Sequence, residues 1–410
     1  MLISAPRVIP ATGSQILAPG WVDVRSGSVV AAGSGAPPRA ADVRLPAGVL
    51  VPGFVDLQVN GYYGKELHNG TGADWACVAS RLPATGTTAF LPTFITAPPG
   101  ELAAALRRAA PVAAALAGGV AAGDKGAATP AARVLGVHAE GPFIAPSRKG
   151  AHNEAWITDP ALAAVTELIE AGRGVLRLVT LAPERDGALA AITRLADAGV
   201  LVSVGHSDAT AEVVAQAAGH GARMVTHLFN AQRGLGHREP GVAGQALADE
   251  RLTSGLIADL HHVSAQVCLL ALRAAPGRIC LVTDAAACAG MPPGSYLLGG
   301  EEIVLPPGEG QPPARRDGTL AGSALRMDAA VANMVSAGAG LVPAVAAATR
   351  VPADLIGRPD LGRIAPGAAA DLAWLDDNLR TAATWVGGQI AYARPGSPLP
   401  LAGRPAEDRR

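Results

Sequence analysis

The sequence has no excess charge of either sign and no long apolar segment, and both absences exclude classes of protein. Its 33 basic residues against 34 acidic residues give a formal net charge of -1, which does not favour binding to nucleic acid or to an anionic membrane. No stretch approaches the roughly 20 apolar residues that a membrane helix requires, and the first residues lack the pattern of a secretion signal. We therefore expect a cytoplasmic protein without a membrane or nucleic-acid partner.

Cysteine is also scarce. The four cysteines, Cys77, Cys268, Cys280 and Cys288, are scattered without a Cys-x-x-Cys pair. This spacing argues against a disulfide framework and against a zinc site made of thiolates. We expect free thiols, in a chain of 410 residues that is long enough for a large core and a second, smaller domain.

Short runs rich in valine, isoleucine and leucine alternate with alanine- and leucine-rich segments of helical spacing in the central part of the chain. Such runs, when turn residues bound them, are typical of strands that are covered on both faces. We predict eight strands: Phe54–Asn60, Thr87–Thr93, Val134–Glu140, Leu176–Leu181, Leu201–His206, Met224–Asn230, Leu256–Asp259 and Ile279–Asp284. This alternation predicts an α/β fold, a (β/α)8 TIM-like barrel, with its chemistry at the C-terminal ends of the strands.

The two ends of the chain lack this alternation and show short β segments between glycines and prolines. The predicted segments are Arg7–Ile9, Trp21–Val24, Ser28–Ala32, Val49–Val51, Asp371–Leu375 and Gln389–Tyr392. We expect the ends to pair in a small β-sandwich domain of residues 1–50 and 366–410. The catalytic barrel would then comprise residues 51–365.

Charged or imidazole side chains occur where the predicted strands stop. Glu140 ends one strand in HAEGP, His206 ends another in GHSDAT, and His227 ends the next in THLFNA. Each alone has an ordinary explanation, such as a helix cap, a pair with an arginine or a histidine satisfied in the core. Together at one end of a barrel they would converge, and two imidazoles with one carboxylate suit a catalytic divalent cation, Zn2+ with Fe2+ also tolerated.

Two further side chains have the chemistry that such a cation needs beside it. Asp284 ends the last strand in LVTDAAA and could act as the general base, although a helix cap or a fourth ligand are alternatives. His152 follows the third strand and could donate a hydrogen bond to a scissile carbonyl. On the first strand, Gln58 and Asn60 are neutral amides and poor ligands for transition metals, so we expect one metal ion and not two.

With these residues in place, the sequence resembles a known family. PGFVDLQVNGYYG, HAEGPFIAPSRKGAHN, GHSDAT, THLFNAQRGLGHREPG, GLIADLHHV, LVTDAAACAG and LAGSALRMD are similar, in order and across the whole chain, to the N-acetylglucosamine-6-phosphate deacetylase family of the amidohydrolase superfamily. The amides Gln58 and Asn60 are part of that family's pattern. The resemblance implies metal-dependent hydrolysis of the acetamido group of N-acetyl-D-glucosamine 6-phosphate, which yields D-glucosamine 6-phosphate and acetate.

The resemblance also implies site residues. One divalent metal per subunit would be held by Glu140, His206 and His227, with Asp284 as the catalytic aspartate and His152 as the histidine that orients the carbonyl. The implied substrate-binding residues are Ala151, His152, Asn230, Ala231, Arg238, Asp259, His262, Leu320, Ala321 and Gly322. Arg238 and His262 would suit a phosphate dianion. The family builds this pocket partly from a neighbouring subunit, which implies a homodimer.

Three other interpretations remain at this point. A different amidohydrolase, acting on an N-acyl amino acid or a cyclic amide, would share the metal ligands without needing Arg238 and His262. A non-haem iron oxygenase also uses two histidines and a carboxylate, but the sequence has no HxD motif of a jelly roll. A non-catalytic sensor of sugar phosphates is the third, because a fold alone does not imply a function.

Overall fold

The computed structural model of the chain describes residues 1–122, 128–308, 310–397 and 399. Residues 398 and 400–410 of the predicted β domain therefore lie outside the described residues, and its boundaries at residues 50 and 366 stay predictions. The strands are β1 (Leu2–Ala5), β2 (Gly20–Arg25), β3 (Ser28–Ser34), β4 (Val43–Arg44), β5 (Val49–Pro52), β6 (Phe54–Val59), β7 (Gly61–Tyr62), β8 (Lys65–Glu66), β9 (Thr87–Ile95), β10 (Val120–Ala122), β11 (Ala128–Pro130), β12 (Arg133–Val134), β13 (Val137–Glu140), β14 (Leu176–Leu181), β15 (Leu201–Val204), β16 (Ala222–Val225), β17 (Thr253–Leu256), β18 (Ile279–Leu281), β19 (Gly294–Leu298), β20 (Glu301–Leu305), β21 (Leu372–Leu375), β22 (Thr381–Val386) and β23 (Gln389–Ala393).

Helices follow most of the central strands. They are α1 (Gly72–Arg81), α2 (Pro99–Leu116), α3 (Leu162–Ala171), α4 (Ala188–Asp197), α5 (Ala211–His220), α6 (Gly241–Ala248), α7 (Ala265–Ala274), α8 (Met327–Ser336), α9 (Leu341–Ala348) and α10 (Arg350–Leu355), with short 3-10 helices at Leu82–Thr85, Pro146–Arg148 and Glu154–Trp156. Within the described residues, no helix has the length and apolar character needed to cross a membrane.

Eight parallel strands form the predicted (β/α)8 barrel, which confirms the fold class. They pair in the order β6, β9, β13, β14, β15, β16, β17 and β18. Strands β6 and β9 are buried along their whole length, because their apolar residues face the barrel interior on one side and the helices on the other.

The ring is completed between the last strand and the first. Val59 and Ala285 form an isolated parallel bridge, and the Asp284 N–H donates to the Gln58 carbonyl at 2.9 Å. Beside this junction of the last and first strands, here called the seam, the fully buried Asp56 carboxylate accepts from the Thr283 hydroxyl at 2.6 Å. Burial raises the pKa of Asp56 to about 7. The seam therefore holds Asp284 against the first strand.

Two four-stranded sheets stand beside the barrel. One has the order β3-β2-β1-β4, and the other, with the order β23-β22-β21-β5, joins the two chain ends, because Val49–Pro52 pairs antiparallel with Leu372–Leu375. A separate apolar cluster that includes Ile3, Val22 and Trp385 fills the space at these sheets.

The predicted strands differ from the observed ones at the chain ends and in the barrel. Leu2–Ala5 and Thr381–Val386 are strands that the prediction missed, and Val8 of the predicted segment Arg7–Ile9 makes only isolated bridges. The seventh barrel strand begins at Thr253 and ends at Leu256, three residues earlier than expected. Thr253, Ser254 and Gly255 are not apolar side chains, so the search for apolar runs passed over them.

Candidate metal centre and active site

Three donor atoms from separate strands meet at the C-terminal end of the barrel. Glu140 is the last residue of β13, and His206 and His227 each follow a strand by two residues. Glu140 Oε1 lies 3.0 Å from His227 Nε2 and 3.3 Å from His206 Nε2, and the two Nε2 atoms are 3.1 Å apart. Ligands at about 2.0–2.2 Å from a tetrahedral Zn2+ are separated by roughly 3.3 Å, so the triangle has the dimensions of a metal site.

The hydrogen bonds around the triangle show that it fits a cation. The Nδ1 atom of His206 lies 2.9 Å from the Arg148 carbonyl, which can only accept, so Nδ1 carries the proton and Nε2 presents a lone pair. That lone pair faces the Glu140 carboxylate and the second imidazole. The His206 lone pair, the Glu140 carboxylate and His227 Nε2 thus surround one point, an arrangement that a divalent cation would stabilise.

The Glu140 carboxylate is suited to be the charged ligand. Burial disfavours its ionised form, but the neighbouring His206 and His227 rings outweigh burial and hold the pKa of Glu140 well below its usual range. The side chain is buried. It therefore stays an anion in an environment that needs a counter-charge.

His152 also lies close to this cluster, since the ligand atoms of Glu140, His152 and His206 are within 4.8 Å of one another. However, the Thr96 backbone N–H donates to His152 Nδ1 at 3.3 Å, and the Thr96 hydroxyl lies 2.7 Å from the same atom. A backbone N–H can only donate, so the ring proton is on Nε2. Burial lowers the pKa of His152 to about 3, which keeps the ring neutral. His152 therefore presents an N–H donor, and His227 Nε2 is the candidate third donor atom of the triangle.

Asp284 faces the same centre from the eighth strand. Its Oδ1 accepts from Asn60 Nδ2 at 2.7 Å and from Gln58 Nε2 at 3.0 Å, and the same Gln58 nitrogen donates to Glu140 Oε1 at 3.0 Å. Burial and the neighbouring Glu140 carboxylate raise the pKa of Asp284. The amides of the first strand thus hold two carboxylates through their N–H groups.

The backbone is strained where the functional side chains are. His206, His227 and Asp284 have φ values of 48°, 26° and 51°, in the left-handed region that residues with a side chain seldom adopt. Phe229 and Ala231 share this conformation. Such residues cost of order 1–3 kcal/mol each and occur mainly where the surrounding structure holds a functional geometry.

A cavity of about 310 Å³ opens above these groups. Eleven of the sequence-predicted site residues line it: Glu140, Ala151, His152, His206, His227, Asn230, Ala231, His262, Asp284, Leu320 and Gly322. The structure thus brings most of the predicted site together around one opening.

Three predicted substrate-binding residues do not line the cavity. Ala321 is fully buried in an apolar cluster, and Arg238 is exposed on the loop after the sixth strand. The Asp259 carboxylate accepts from His262 Nδ1 at 2.7 Å and from the His261 and His262 N–H groups. Asp259 therefore orients the His262 ring towards the cavity, whereas His261 is exposed.

The sequence analysis missed two residues that hold this site. Thr96 orients His152, and Arg148 orients His206 through its carbonyl. Thr96 carried a detectable signal, because it is a polar residue directly after the second barrel strand, Thr87–Ile95. The role of Arg148 belongs to its backbone and has no signature in the sequence.

Comparisons with known proteins agree with this geometry. The model of the Amidohydrolase family matches residues 49–391. The N-acetylgalactosamine-6-phosphate deacetylase of Escherichia coli O157:H7 is 38% identical over 348 residues, which cover 84% of this chain and 88% of that protein. The N-acetylglucosamine-6-phosphate deacetylase of Bacillus subtilis (strain 168) is 33% identical over 79% of this chain and 80% of that protein.

A solved structure has the same fold over nearly the whole length. The crystal structure of N-acetyl-D-glucosamine-6-phosphate deacetylase from Mycobacterium smegmatis matches with a TM-score of 0.88 and 35% identity, and the match covers 96% of this chain and 100% of that one. The chain therefore belongs to the amidohydrolase family.

Proposed function

We propose that the chain hydrolyses the acetamido group of N-acetyl-D-glucosamine 6-phosphate and releases D-glucosamine 6-phosphate and acetate. The observation that carries the proposal is the meeting of Glu140, His206 and His227 with Asp284 and His152 at one cavity. The deacetylases of Bacillus subtilis and Mycobacterium smegmatis, which resemble this chain along most of its length, support the choice of substrate.

The proposed cofactor is one divalent cation per subunit, Zn2+ in the first place, with Fe2+ also suited to the ligands Glu140, His206 and His227. When bound, such a cation supplies a Lewis acid and lowers the pKa of a water molecule towards about 7. Gln58 and Asn60 stand on the first strand as neutral amides, which are poor ligands for transition metals, and this supports a single ion.

Asp284 and His152 perform the proton transfer and the charge stabilisation. The Asp284 carboxylate takes a proton from the attacking water and then delivers it to the sugar nitrogen as the C–N bond breaks. The His152 Nε2–H donates to the acetamido oxygen, where negative charge develops. Because Thr96 fixes the tautomer of His152, this donor is ready before the substrate arrives.

The sugar phosphate would lie towards the outer part of the cavity. His262, held by Asp259, faces the opening together with Asn230 and Ala231. In this proposal, His262 contacts the phosphate and the backbone around Leu320–Gly322 borders the sugar. Ala151 stands next to His152 and borders the acetamido group.

A homodimer would complete the phosphate pocket. Arg238 is exposed and does not line the cavity of its own chain, so a contribution to the cavity of a partner is the use that fits its position. Large apolar side chains are exposed in the loops and the β19–β20 hairpin that follow the last three barrel strands, namely Leu235, Leu260, Met291, Leu297 and Leu320. These loops suit an interface with a second copy.

We also propose that the enzyme acts in the cytoplasm. Cys77, Cys268, Cys280 and Cys288 are all free thiols, which suits a reducing compartment.

N-acetyl-D-galactosamine 6-phosphate is the second candidate substrate. The deacetylase of Escherichia coli O157:H7, at 38% identity, carries that substrate in its name. The two sugars differ only in the configuration at C4, which is remote from the reacting amide.

One experiment tests the proposal. Purified protein with measured metal content is assayed for released acetate on both N-acetylhexosamine 6-phosphates, on unphosphorylated N-acetylglucosamine and on an N-acyl amino acid, with and without oxygen. We expect efficient, oxygen-independent release from a phosphorylated sugar and loss of activity after chelation. Activity on the N-acyl amino acid alone, or an absolute need for oxygen, would contradict the proposal.

A further inference from the structure

Asp208 lies between two loops of the active site and binds both of them. The third-strand loop (residues 141–161) contains Arg148, and the sixth-strand loop (residues 226–240) contains Arg233. Asp208 Oδ1 accepts from Arg148 Nε at 3.0 Å and Nη2 at 2.7 Å, and Oδ2 accepts from Arg233 Nη2 at 3.2 Å. One carboxylate thus uses its two oxygens on two different loops.

Each loop carries a different part of the site. On the third-strand loop, the Arg148 carbonyl accepts from His206 Nδ1 at 2.9 Å, and His152 follows four residues later. On the sixth-strand loop, Asn230 and Ala231 precede Arg233 and line the cavity. The ion pair with Arg148 therefore connects Asp208 to the loop that contacts His206, a proposed metal ligand, and carries the carbonyl donor His152. The ion pair with Arg233 connects Asp208 to the loop that carries the residues proposed to hold the sugar phosphate.

Asp208 is itself held in place. Its N–H donates to Glu184 Oε1 at 2.5 Å, and the Ser207 hydroxyl donates to Glu184 Oε2 at 2.8 Å. The Ser207 N–H donates to the Ala231 carbonyl at 3.1 Å, and the Arg233 N–H donates to the Ser207 carbonyl at 3.0 Å. The carboxylate is therefore a fixed point from which both loops can be positioned.

We propose that Asp208 is a positioning residue for the reaction. Its ion pair with Arg148 sets turnover through His152 and His206. Its ion pair with Arg233 sets substrate affinity through Asn230 and Ala231. The kinetic part of this assignment rests on the proposed function. The opposing view is that both ion pairs, about a third exposed, are ordinary surface pairs, which contribute little.

The test compares R148M, R233M and D208A with the wild type, each loaded with Zn2+. We expect R148M to lower kcat by about tenfold with little change in KM, since a small misplacement of a catalytic group is costly. R233M should raise KM by about fivefold at unchanged kcat, and D208A should show both effects. In the double variants R148M/D208A and R233M/D208A, the defects should equal that of D208A alone, because the second change removes a contact that is already lost.

Affinity for Zn2+ gives a readout that does not depend on the substrate. Loss of a hydrogen-bonding partner behind a ligand typically costs 10- to 100-fold in metal affinity. Chelator competition should therefore show weaker binding in R148M and D208A and normal binding in R233M. R350M removes a comparable surface pair with Asp354 on α10, at 3.3 Å, and should leave kcat, KM and metal affinity unchanged.

The outcomes separate the two proposals. A wild type that binds Zn2+ but releases no acetate from any N-acetylhexosamine phosphate would refute the proposed function, and the metal-affinity series would still decide the role of Asp208. Kinetic constants and metal affinity within twofold of the wild type in all three variants would overturn the assignment. So would additive defects in the double variants, which would indicate that Arg148 or Arg233 acts directly on the substrate.

Discussion

The inner site and the exposed face of the segments that follow the last barrel strands, here called the outer rim, are built differently. The inner site, comprising Glu140, His152, His206, His227 and Asp284, is buried, and its side chains are held by hydrogen bonds within the chain. The outer rim, comprising Leu235, Arg238, Leu297 and Leu320, is exposed. The inner side chains have nearly all their hydrogen-bond partners within the chain, whereas the rim presents exposed apolar and cationic groups.

The groups proposed to perform the reaction and the groups proposed to recognise the substrate phosphate are therefore supported in different ways. Groups that handle protons and charge need positions fixed before the substrate arrives, and the barrel supplies these from strand ends that are joined in one ring. Among the described residues, the rim side chain Arg238 has no hydrogen bond or ion pair that gives such support in the single chain. In our proposal a second copy provides this support. Single substitutions should therefore impair the inner site, whereas loss of the partner subunit should impair substrate binding by the rim.

The largest effect should come from Asp284→Asn in the inner site. Asparagine keeps the shape but cannot take the proton, so we expect kcat to fall by about 10² or more while the metal stays bound. Acetate release and metal content of the same preparation measure both quantities.

The exposed Asp197→Asn on α4 is the matched control and should be normal. Turnover of the Asp284 variant within threefold of the wild type would remove Asp284 from its proposed role, and loss of the metal would make it a ligand instead.

The inner site was predictable because its signal is local. A polar residue that stops a buried apolar run has few structural explanations, and three such residues on barrel strands must converge. The seventh strand, Thr253–Leu256, was misplaced because it contains Thr, Ser and Gly, yet the barrel and Asp284 were still found.

The outer substrate contacts were less predictable because loop positions depend on contacts that are distant in sequence. The family resemblance supplied Arg238, Asp259 and Ala321, but the three side chains lie on a surface, behind His262 and inside an apolar cluster. Spacing along the sequence could not distinguish these positions.

The next largest effect should come from Arg238→Ala at the rim. Loss of a guanidinium that binds a phosphate in the partner's site should raise KM for the phosphorylated sugar by about tenfold or more and leave the unphosphorylated sugar unaffected. Steady-state kinetics on both substrates measure this difference.

A mixing experiment tests whether the arginine acts across subunits. R238A and D284N subunits are mixed and allowed to exchange. A mixed dimer pairs the intact inner site of one subunit with the intact Arg238 of the other, so activity at low substrate concentration should exceed that of either parent. Absence of any gain after exchange would place Arg238 in its own subunit's site or outside the reaction, and R273A on α7 serves as the arginine control.

A smaller effect is expected from Leu235→Ser. Removal of an exposed apolar side chain from the rim should weaken the dimer, so that KM rises severalfold at low enzyme concentration and recovers at high concentration. Light scattering after size-exclusion chromatography measures the dimer. Leu270, which is 53% exposed on α7 against 51% for Leu235, gives the matched control Leu270→Ser. Equal behaviour of the two variants would show that the rim is not the interface.

The smallest effect on turnover should come from the junction between the barrel and the sheet of the chain ends. Arg133 donates to both oxygens of the buried Asp371 carboxylate, at 2.8 Å and 3.1 Å, and the Gly387 N–H donates to it at 2.7 Å. In Arg133→Met this carboxylate loses its counter-charge, which should lower the free energy of unfolding by about 3 kcal/mol. We nevertheless expect kcat within twofold of the wild type, because every partner of the inner site lies in the barrel and its loops.

Thermal melting and acetate release measure the two quantities, with Arg107→Met on the exposed face of α2 as the control. A fall in kcat comparable to that of Asp284→Asn, in protein that is still folded at the assay temperature, would mean that the sheet of the chain ends helps to hold the inner site.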